Sequence, residues 1–170
     1  MSTIVYSLWV KPAGEIFERL SQVIREFAQE HGDAPFEPHV TLLGNVVGTE
    51  SDILRTSEQL AGSLRPVRIV LTGPAHGREH FQCVYMLVDQ TQIVMGTHAR
   101  ARQAFRMPDG PFMPHLSLVY GLFPDEQKIA IIRRLPDLRM TFDASAVCVI
   151  RADSDDPKDW RELAAFPING

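Results

Sequence analysis

An eight-residue phrase occurs twice in this 170-residue chain and constrains its fold more than any other feature. The first copy, PFEPHVTL, covers residues 35–42, and the second, PFMPHLSL, covers residues 111–118. Five of the eight positions are identical, and two others exchange valine for leucine and threonine for serine. Two copies are too few for a solenoid, so the repeat indicates a two-fold duplication in which each half supplies one histidine and one hydroxyl.

The duplication extends beyond the phrase, because an aromatic residue precedes each histidine by 30 positions: Trp9 before His39 and Tyr85 before His115. Hydrophobic periodicity predicts a strand, a helix and a second strand in each half. The predicted ranges are 4–10, 13–31 and 39–47 in the first half, and 81–88, 91–105 and 115–121 in the second. We therefore predict one bilobal α+β domain over residues 1–170, in which two mostly antiparallel sheets face a central cleft and the helices lie outside.

The remaining segments complete this pattern. Further helices are predicted at 50–63, capped by Thr49 or Ser51, and at 125–134. Further strands are predicted at 67–71, 138–142, 146–150 and 160–166, with a turn at 72–74 and an acidic loop at 152–159.

Composition restricts the class of protein. Hydrophobic residues make up 45% and charged residues 22% of the chain, which is typical of a globular domain. The net charge of −4 argues against coating of long nucleic acid but leaves room for a small anionic ligand. The contexts of Cys83 and Cys148 favour buried thiols over a disulfide. With no signal-peptide pattern and no bilayer-length apolar run, we expect a cytoplasmic monomer without a membrane partner.

Each phrase places an imidazole beside a hydroxyl. Side chains alternate between the faces of a strand, so His39 shares a face with Thr41, and His115 shares one with Ser117. The intervening aliphatic residues then face a core. If the two halves face each other, two imidazoles and two hydroxyls meet in one cleft.

This set of groups suits the cleavage of a phosphodiester by water. One imidazole can activate the water while the other protonates the leaving oxygen. The hydroxyls can hold the non-bridging phosphate oxygens, and neither a metal nor another cofactor is needed. A lone histidine beside a threonine is usually a satisfied surface residue, but its repetition in a duplicated context favours catalysis.

The paired motifs resemble those of the 2H phosphoesterase superfamily, and most closely its plant-type cyclic phosphodiesterase branch. Similar stretches are VYSLW at 5–9, FQCVY at 81–85, PHLSLVY at 114–120 and the segment 152–160. The resemblance thus covers nearly the whole chain. It implies a bilobal fold with a water-filled cleft and metal-free hydrolysis of cyclic phosphodiesters.

The resemblance also implies substrates and roles. The expected substrates are 2′,3′-cyclic nucleotides, opened to 2′-phosphates, and ADP-ribose 1″,2″-cyclic phosphate, a by-product of tRNA splicing, opened to the 1″-phosphate. By residue-wise transfer, His39 and His115 are the acid–base pair, and Thr41 and Ser117 bind phosphate. We take His115 as the base on water and His39 as the acid, but the reaction is nearly symmetric about phosphorus and the sequence leaves the reverse assignment open. Tyr120 matches a family tyrosine near the phosphate.

Other polar and aromatic residues carry weaker predictions. Trp9 and Phe81 are candidate stacking walls for a base or ribose, with ordinary core packing as an equal alternative. The arginines of the third helix, at positions 100, 102 and 106, are expected on a solvated face. We expect the acidic segment 152–159 to be a loop beside the cleft and not a calcium site.

Three alternatives remain open at this point. The chain could process RNA ends by acting on 2′,3′ or 2′,5′ linkages of oligonucleotides, with short RNA ends as its partners. It could be a nucleotide- or RNA-binding module without turnover, although both histidines are present. It could use the histidines as metal ligands, but no carboxylate stands at a helpful spacing in either motif.

Overall fold

The computed structural model describes residues 4–169, and in them the chain forms eight strands and four α-helices. The strands are β1 Val5–Val10, β2 Val40–Val46, β3 Val67–His76, β4 Val84–Val88, β5 His115–Val119, β6 Thr141–Ala144, β7 Ala146–Ala152 and β8 Trp160–Pro167. The helices are α1 Gly14–His31, α2 Glu50–Ser63, α3 Gln92–Ala104 and α4 Asp125–Arg134. The predicted α+β class is confirmed.

The described strands form one eight-stranded antiparallel sheet, in the order β6-β3-β4-β5-β2-β1-β7-β8. The prediction of two separate sheets is therefore wrong. Strands β2 and β5 pair with each other, with Val40 opposite Leu116. In two separate sheets, the backbone groups at the centre of both phrases would lack hydrogen-bond partners on one side. Pairing of β2 with β5 supplies these partners.

The halves of the sheet are equivalent in register on either side of this junction. Trp9 of β1 lies opposite Thr41 of β2, and Tyr85 of β4 lies opposite Ser117 of β5. The same offset thus relates an aromatic residue to a motif hydroxyl in each half. The internal duplication inferred from the sequence is reproduced in the strand pairing.

The chain exchanges strands between the two halves. Strand β3 follows the first phrase but pairs with β4, whereas β7 follows the second phrase but pairs with β1. Helix α1 packs against β5 and helix α3 against β2. Each crossover helix therefore covers the motif strand of the opposite half.

Local sequence explains where the helices begin and end. Helix α1 buries Leu20, Ile24 and Phe27 on one face, and it ends at Gly32 in a left-handed conformation with φ of 72°. Helix α2 begins after Thr49, whose hydroxyl accepts a hydrogen bond from the backbone N–H of Asp52.

Several predicted boundaries are wrong. Strand β3 continues to His76 through the predicted turn, because a register shift between Leu71 and Gly73 accommodates Pro74 within the pairing to β4. Strand β4 begins at Val84, after a 3-10 turn over His80–Gln82 that holds Phe81. Strand β6 lies at 141–144 and not at 138–142. None of the helices within residues 4–169 is long and apolar enough to cross a membrane.

Candidate active site

The two motif strands bring the four predicted polar residues together. With Val40 opposite Leu116, continuing the antiparallel register by one residue each way places His39 across from Ser117 and Thr41 across from His115. Residues opposite each other in an antiparallel pair share a face of the sheet. All four side chains line a single cleft of about 420 Å³.

Each imidazole makes an equivalent contact with the backbone carbonyl oxygen two residues before it. Nδ1 of His39 lies 2.7 Å from the carbonyl oxygen of Glu37, and Nδ1 of His115 lies 2.9 Å from that of Met113. A carbonyl oxygen only accepts, so the proton resides on Nδ1 and Nε2 is left to act on a ligand. The intervening residues, Pro38 and Pro114, restrict the backbone of these short loops.

The two histidines differ in their surroundings. The indole of Trp9 stacks on His39, with ring centroids 3.5 Å apart and planes within 6°. The ring of Tyr85 lies 5.1 Å from that of His115 at an angle of 60°. The indole Nε1 of Trp9 donates to Ser7 Oγ at 2.9 Å, which fixes the stacking surface beneath His39.

Burial sets the protonation state of both rings. His39 is 6% exposed, and this burial lowers its pKa to about 3, with smaller contributions in the same direction from Lys11 and His115. Burial also lowers the pKa of His115. Both imidazoles are therefore neutral at pH 7 in the free protein.

The two motif hydroxyls differ in their hydrogen bonding. Ser117 Oγ donates to the carbonyl oxygen of Phe81 at 2.8 Å. Within the part of the chain that the structure describes, the Thr41 side chain makes no hydrogen bond to protein, although it lines the cleft. Thr41 is thus available to a ligand at once, whereas Ser117 must exchange its acceptor.

The remaining predicted site residues also line the cleft. Tyr120 is buried, its ring stacks on Phe36 at 3.8 Å, and burial raises the pKa of its phenol. The phenol is accordingly a neutral hydrogen-bond donor. Phe81 meets Tyr120 edge to face at 5.1 Å, and Trp9 forms the wall beside His39.

The cleft also contains residues to which sequence reasoning gave no role. Trp160 lies 5.7 Å from Trp9 and 5.9 Å from Phe81, and its indole donates to the carbonyl of Ser154 at 2.8 Å. Asp153 and Asp155 line the mouth, so the acidic loop lies beside the cleft as expected. The resemblance covered segment 152–160, but no local pattern indicated which of its side chains point inward.

Other sequence features lie elsewhere. Arg100 and Arg102 of α3, and Arg106 just after its end, are not among the cleft residues; Arg100 and Arg106 line a separate surface recess against α2. Both cysteines are free and buried, which confirms the prediction of thiols. Within residues 4–169, no group of three or more His, Cys, Asp or Glu side chains could hold a metal ion.

Two neutral imidazoles and two hydroxyls that line one cleft can supply a base, an acid and hydrogen-bond donors to a phosphodiester. Comparison with known proteins identifies the family. Residues 7–156 match the family described as the 2′-5′ RNA ligase superfamily. The chain belongs to this superfamily, the 2H phosphoesterases.

Individual relatives support the assignment. A cyclic phosphodiesterase of Arabidopsis thaliana is 25% identical over 173 residues, covering 97% of this chain and 96% of the plant protein. Among solved structures, TT0787 of Thermus thermophilus has a TM-score of 0.68 at 18% identity, covering 98% of both chains. Escherichia coli LigT complexed with 3′-AMP has a TM-score of 0.68 at 13% identity, covering 99% of this chain and 100% of LigT. These structures show a shared fold.

Proposed function

We propose that this chain is a cyclic phosphodiesterase that opens small nucleotide-derived cyclic phosphates by two-histidine acid–base catalysis without a metal. The observation that carries the proposal is that two Nδ1-anchored imidazoles and the two motif hydroxyls line one cleft. Membership of the superfamily supports phosphoesterase activity, and the plant relative is named for cyclic phosphodiesterase activity.

The proposed reaction displaces one ring oxygen of the cyclic phosphate by water. Nε2 of His115 takes a proton from the water as its oxygen bonds to phosphorus. The bond from phosphorus to the leaving ring oxygen breaks, and that oxygen takes a proton from Nε2 of His39. The hydroxyls of Thr41 and Ser117 and the phenol of Tyr120 donate hydrogen bonds to the non-bridging oxygens, on which charge increases.

Because both histidines are neutral in the free protein, the bound substrate must help to protonate the histidine that acts as the acid. A neutral His115 can accept a proton directly, but the acid must first be protonated. A bound phosphodiester anion favours the imidazolium form of a neighbouring ring. Assignment of the acid to His39 therefore requires the bound anion to raise the pKa of His39 from about 3 toward neutrality.

The roles of the two histidines can be separated by changing the leaving group. Bis(p-nitrophenyl) phosphate releases p-nitrophenolate, which needs little help from an acid. His39→Ala should therefore lose much less activity on this ester than on a cyclic nucleotide, whereas His115→Ala should be equally impaired on both. The opposite pattern would reverse the assignment of base and acid.

The walls of the cleft fit a nucleoside. Trp9, Phe81 and Trp160 present aromatic surface on which a base or ribose can stack. A volume of about 420 Å³ lies in the range of small-molecule sites. The proposed substrates are therefore 2′,3′-cyclic nucleotides, giving 2′-phosphates, and ADP-ribose 1″,2″-cyclic phosphate, giving the 1″-phosphate. Escherichia coli LigT has been crystallised with 3′-AMP and with NADP+, which supports a nucleotide ligand here.

A second candidate is a phosphoesterase that acts on RNA ends, which the superfamily's description favours. The cleft itself weighs against long RNA, because among the described residues no lysine or arginine lines it while Asp153 and Asp155 do. This candidate differs from the first in substrate length and not in chemistry.

A product-resolved assay tests the proposal. The purified protein is incubated with the four 2′,3′-cyclic nucleotides, ADP-ribose 1″,2″-cyclic phosphate and an oligonucleotide ending in a cyclic phosphate, with and without EDTA. We expect nucleoside 2′-phosphates at a rate that EDTA leaves unchanged. Loss of activity on chelation with recovery in zinc or manganese would contradict metal-free catalysis, and ligand binding without turnover of any substrate would indicate a binding module.

A further inference from the structure

A second cavity, of about 380 Å³, adjoins the catalytic cleft and has no part in the proposed reaction. The two cavities share Trp9, Ile150 and Trp160 as lining residues. We call the second cavity the α1 pocket, because Phe17, Ser21 and Arg25 of helix α1 contribute to its lining together with Phe36.

One stripe of α1 supplies these groups. Phe17, Ser21 and Arg25 are spaced four residues apart and therefore lie on one face of the helix. Ser21 is 5% exposed, and its Oγ has no hydrogen-bond partner among the described residues. A buried hydroxyl without a partner is costly and uncommon in a native protein, so a polar group at this position points to a ligand.

The α1 pocket is also lined by a positively charged side chain that has no protein partner among the described residues. Arg25 is exposed and forms no hydrogen bond or ion pair with the part of the chain that the structure describes. Glu37 and Glu162 line the same pocket, but both carboxylates bind the Lys11 ammonium. The single ammonium of Lys11 balances one of these two negative charges, and Arg25 is the positively charged side chain among the described residues that line the pocket.

The rest of the lining suits a nucleobase. The rings of Phe17 and Phe36 are half-buried, and Trp160 bounds the pocket on the side shared with the catalytic cleft. Aromatic faces bind bases by stacking, and a guanidinium is well matched to phosphate oxygens. Aromatic surface, a free guanidinium and an orphan hydroxyl are together the chemistry that recognises a nucleoside joined to a phosphate.

We infer that the α1 pocket binds a second nucleotidyl group, attached to the sugar whose cyclic phosphate lies in the catalytic cleft. This inference rests on the proposed function, which places the substrate between His39 and His115. The α1 pocket adjoins that cleft, and the two cavities share lining residues. Two substrates carry such a group: the adenylyl half of ADP-ribose 1″,2″-cyclic phosphate and the penultimate nucleotide of an RNA end. The pocket would make the protein prefer extended substrates over single cyclic nucleotides.

The test compares kcat/KM on three substrates. Adenosine 2′,3′-cyclic phosphate lacks the second nucleotidyl group, whereas ADP-ribose 1″,2″-cyclic phosphate and the dinucleotide ApA 2′,3′-cyclic phosphate carry it. For Arg25→Gln, we expect the ratio of extended to single-nucleoside kcat/KM to fall about tenfold or more, as for loss of a charge-assisted contact. Ser21→Ala should lower the same ratio by a smaller factor.

A matched control is Arg133→Gln, since Arg133 is likewise exposed and unpaired among the described residues but lies on α4, outside both cavities. It should leave both ratios unchanged. The extended substrate whose ratio falls in Arg25→Gln identifies the source of the nucleotidyl group. Unchanged ratios for both extended substrates in Arg25→Gln would overturn the inference.

A binding measurement separates this inference from the proposed function. The chain's two tryptophans line both cavities, so their fluorescence should report binding of ADP, a probe without a cyclic phosphate. We expect the ADP titration to weaken about tenfold in Arg25→Gln and not in Arg133→Gln. If the wild-type protein hydrolyses no cyclic phosphate, the proposed function fails whatever the titration shows. If it hydrolyses cyclic nucleotides but Arg25→Gln binds ADP as the wild type does, only the α1 pocket assignment fails.

Discussion

Val40 of β2 lies directly opposite Leu116 of β5, and this antiparallel pair joins the two halves of the sheet. Both side chains are buried in the core, at 1% and 0% exposure. Their neighbours along each strand therefore turn to the other face, where His39, Thr41, His115 and Ser117 line the cleft. The same pair thus anchors the core and determines which side chains share the proposed active site.

Removing side-chain volume at this junction should destabilise the protein. Leu116→Ala deletes a fully buried side chain and leaves a cavity, so the free energy of unfolding should fall by about 2–5 kcal/mol. Urea denaturation measures this change through the midpoint at a constant slope. Leu122→Ala is the matched control, because Leu122 is 76% exposed and its loss should change the free energy of unfolding by less than about 0.5 kcal/mol. Equal midpoints for both variants would contradict a packed junction.

The hydroxyl of Thr41 should matter for catalysis and not for folding. Thr41→Val keeps the shape of the side chain but removes the donor, and kcat on a 2′,3′-cyclic nucleotide should fall roughly 10²–10³-fold, by analogy with loss of an oxyanion donor. Thr41→Ser restores the hydroxyl and should recover most of the rate. A Thr41→Val protein with wild-type kcat would show that this residue does not bind phosphate. Ser117→Ala should cause a comparable loss of kcat while also releasing the carbonyl of Phe81.

The buried state of His39 predicts a specific dependence of stability on pH. Burial lowers its pKa from 6.5 to about 3 in the folded protein. Between these values the unfolded chain binds a proton at His39 and the native protein does not, so the free energy of unfolding increases with pH across this window. Stability should accordingly be lost as the pH falls from about 6.5 toward 3.

Urea denaturation of the wild type and of His39→Gln at a series of pH values measures this effect. Glutamine does not titrate, so the variant should lose less stability than the wild type between pH 6.5 and 3. Parallel curves across that range would show that His39 titrates normally in the folded protein. His115, whose pKa burial also lowers, contributes in the same direction and remains present in both proteins.

Local features of the site could be read from the sequence because strand alternation is a local property. The alternation His39-Val40-Thr41 was enough to predict which side chains share a face, and the 30-residue spacing from Trp9 and Tyr85 predicted the duplicated register. The pairing of Val40 with Leu116 could not be predicted, because these residues are 76 positions apart and their pairing depends on how the two halves approach each other.

The other differences also arise from long-range contacts. The sequence Thr72-Gly73-Pro74 has the composition of a turn, but pairing with β4 extends β3 through it with a shift in register. Trp160 enters the cleft from the opposite end of the chain, and its position depends on the pairing of β8 with β7. The α1 pocket likewise combines a helix near the start of the chain with a strand near its end, so no single segment encodes it.

In the proposed reaction, His39 and His115 divide the roles of acid and base in one cleft. Measuring kcat of His39→Ala and His115→Ala on a 2′,3′-cyclic nucleotide tests it most directly, with His76→Ala as the control outside the cleft and urea midpoints to establish folding. We predict that each cleft variant stays folded and loses about 10²–10⁴-fold in kcat, while His76→Ala retains the wild-type rate. A folded His39→Ala or His115→Ala protein with near-normal turnover would contradict the account.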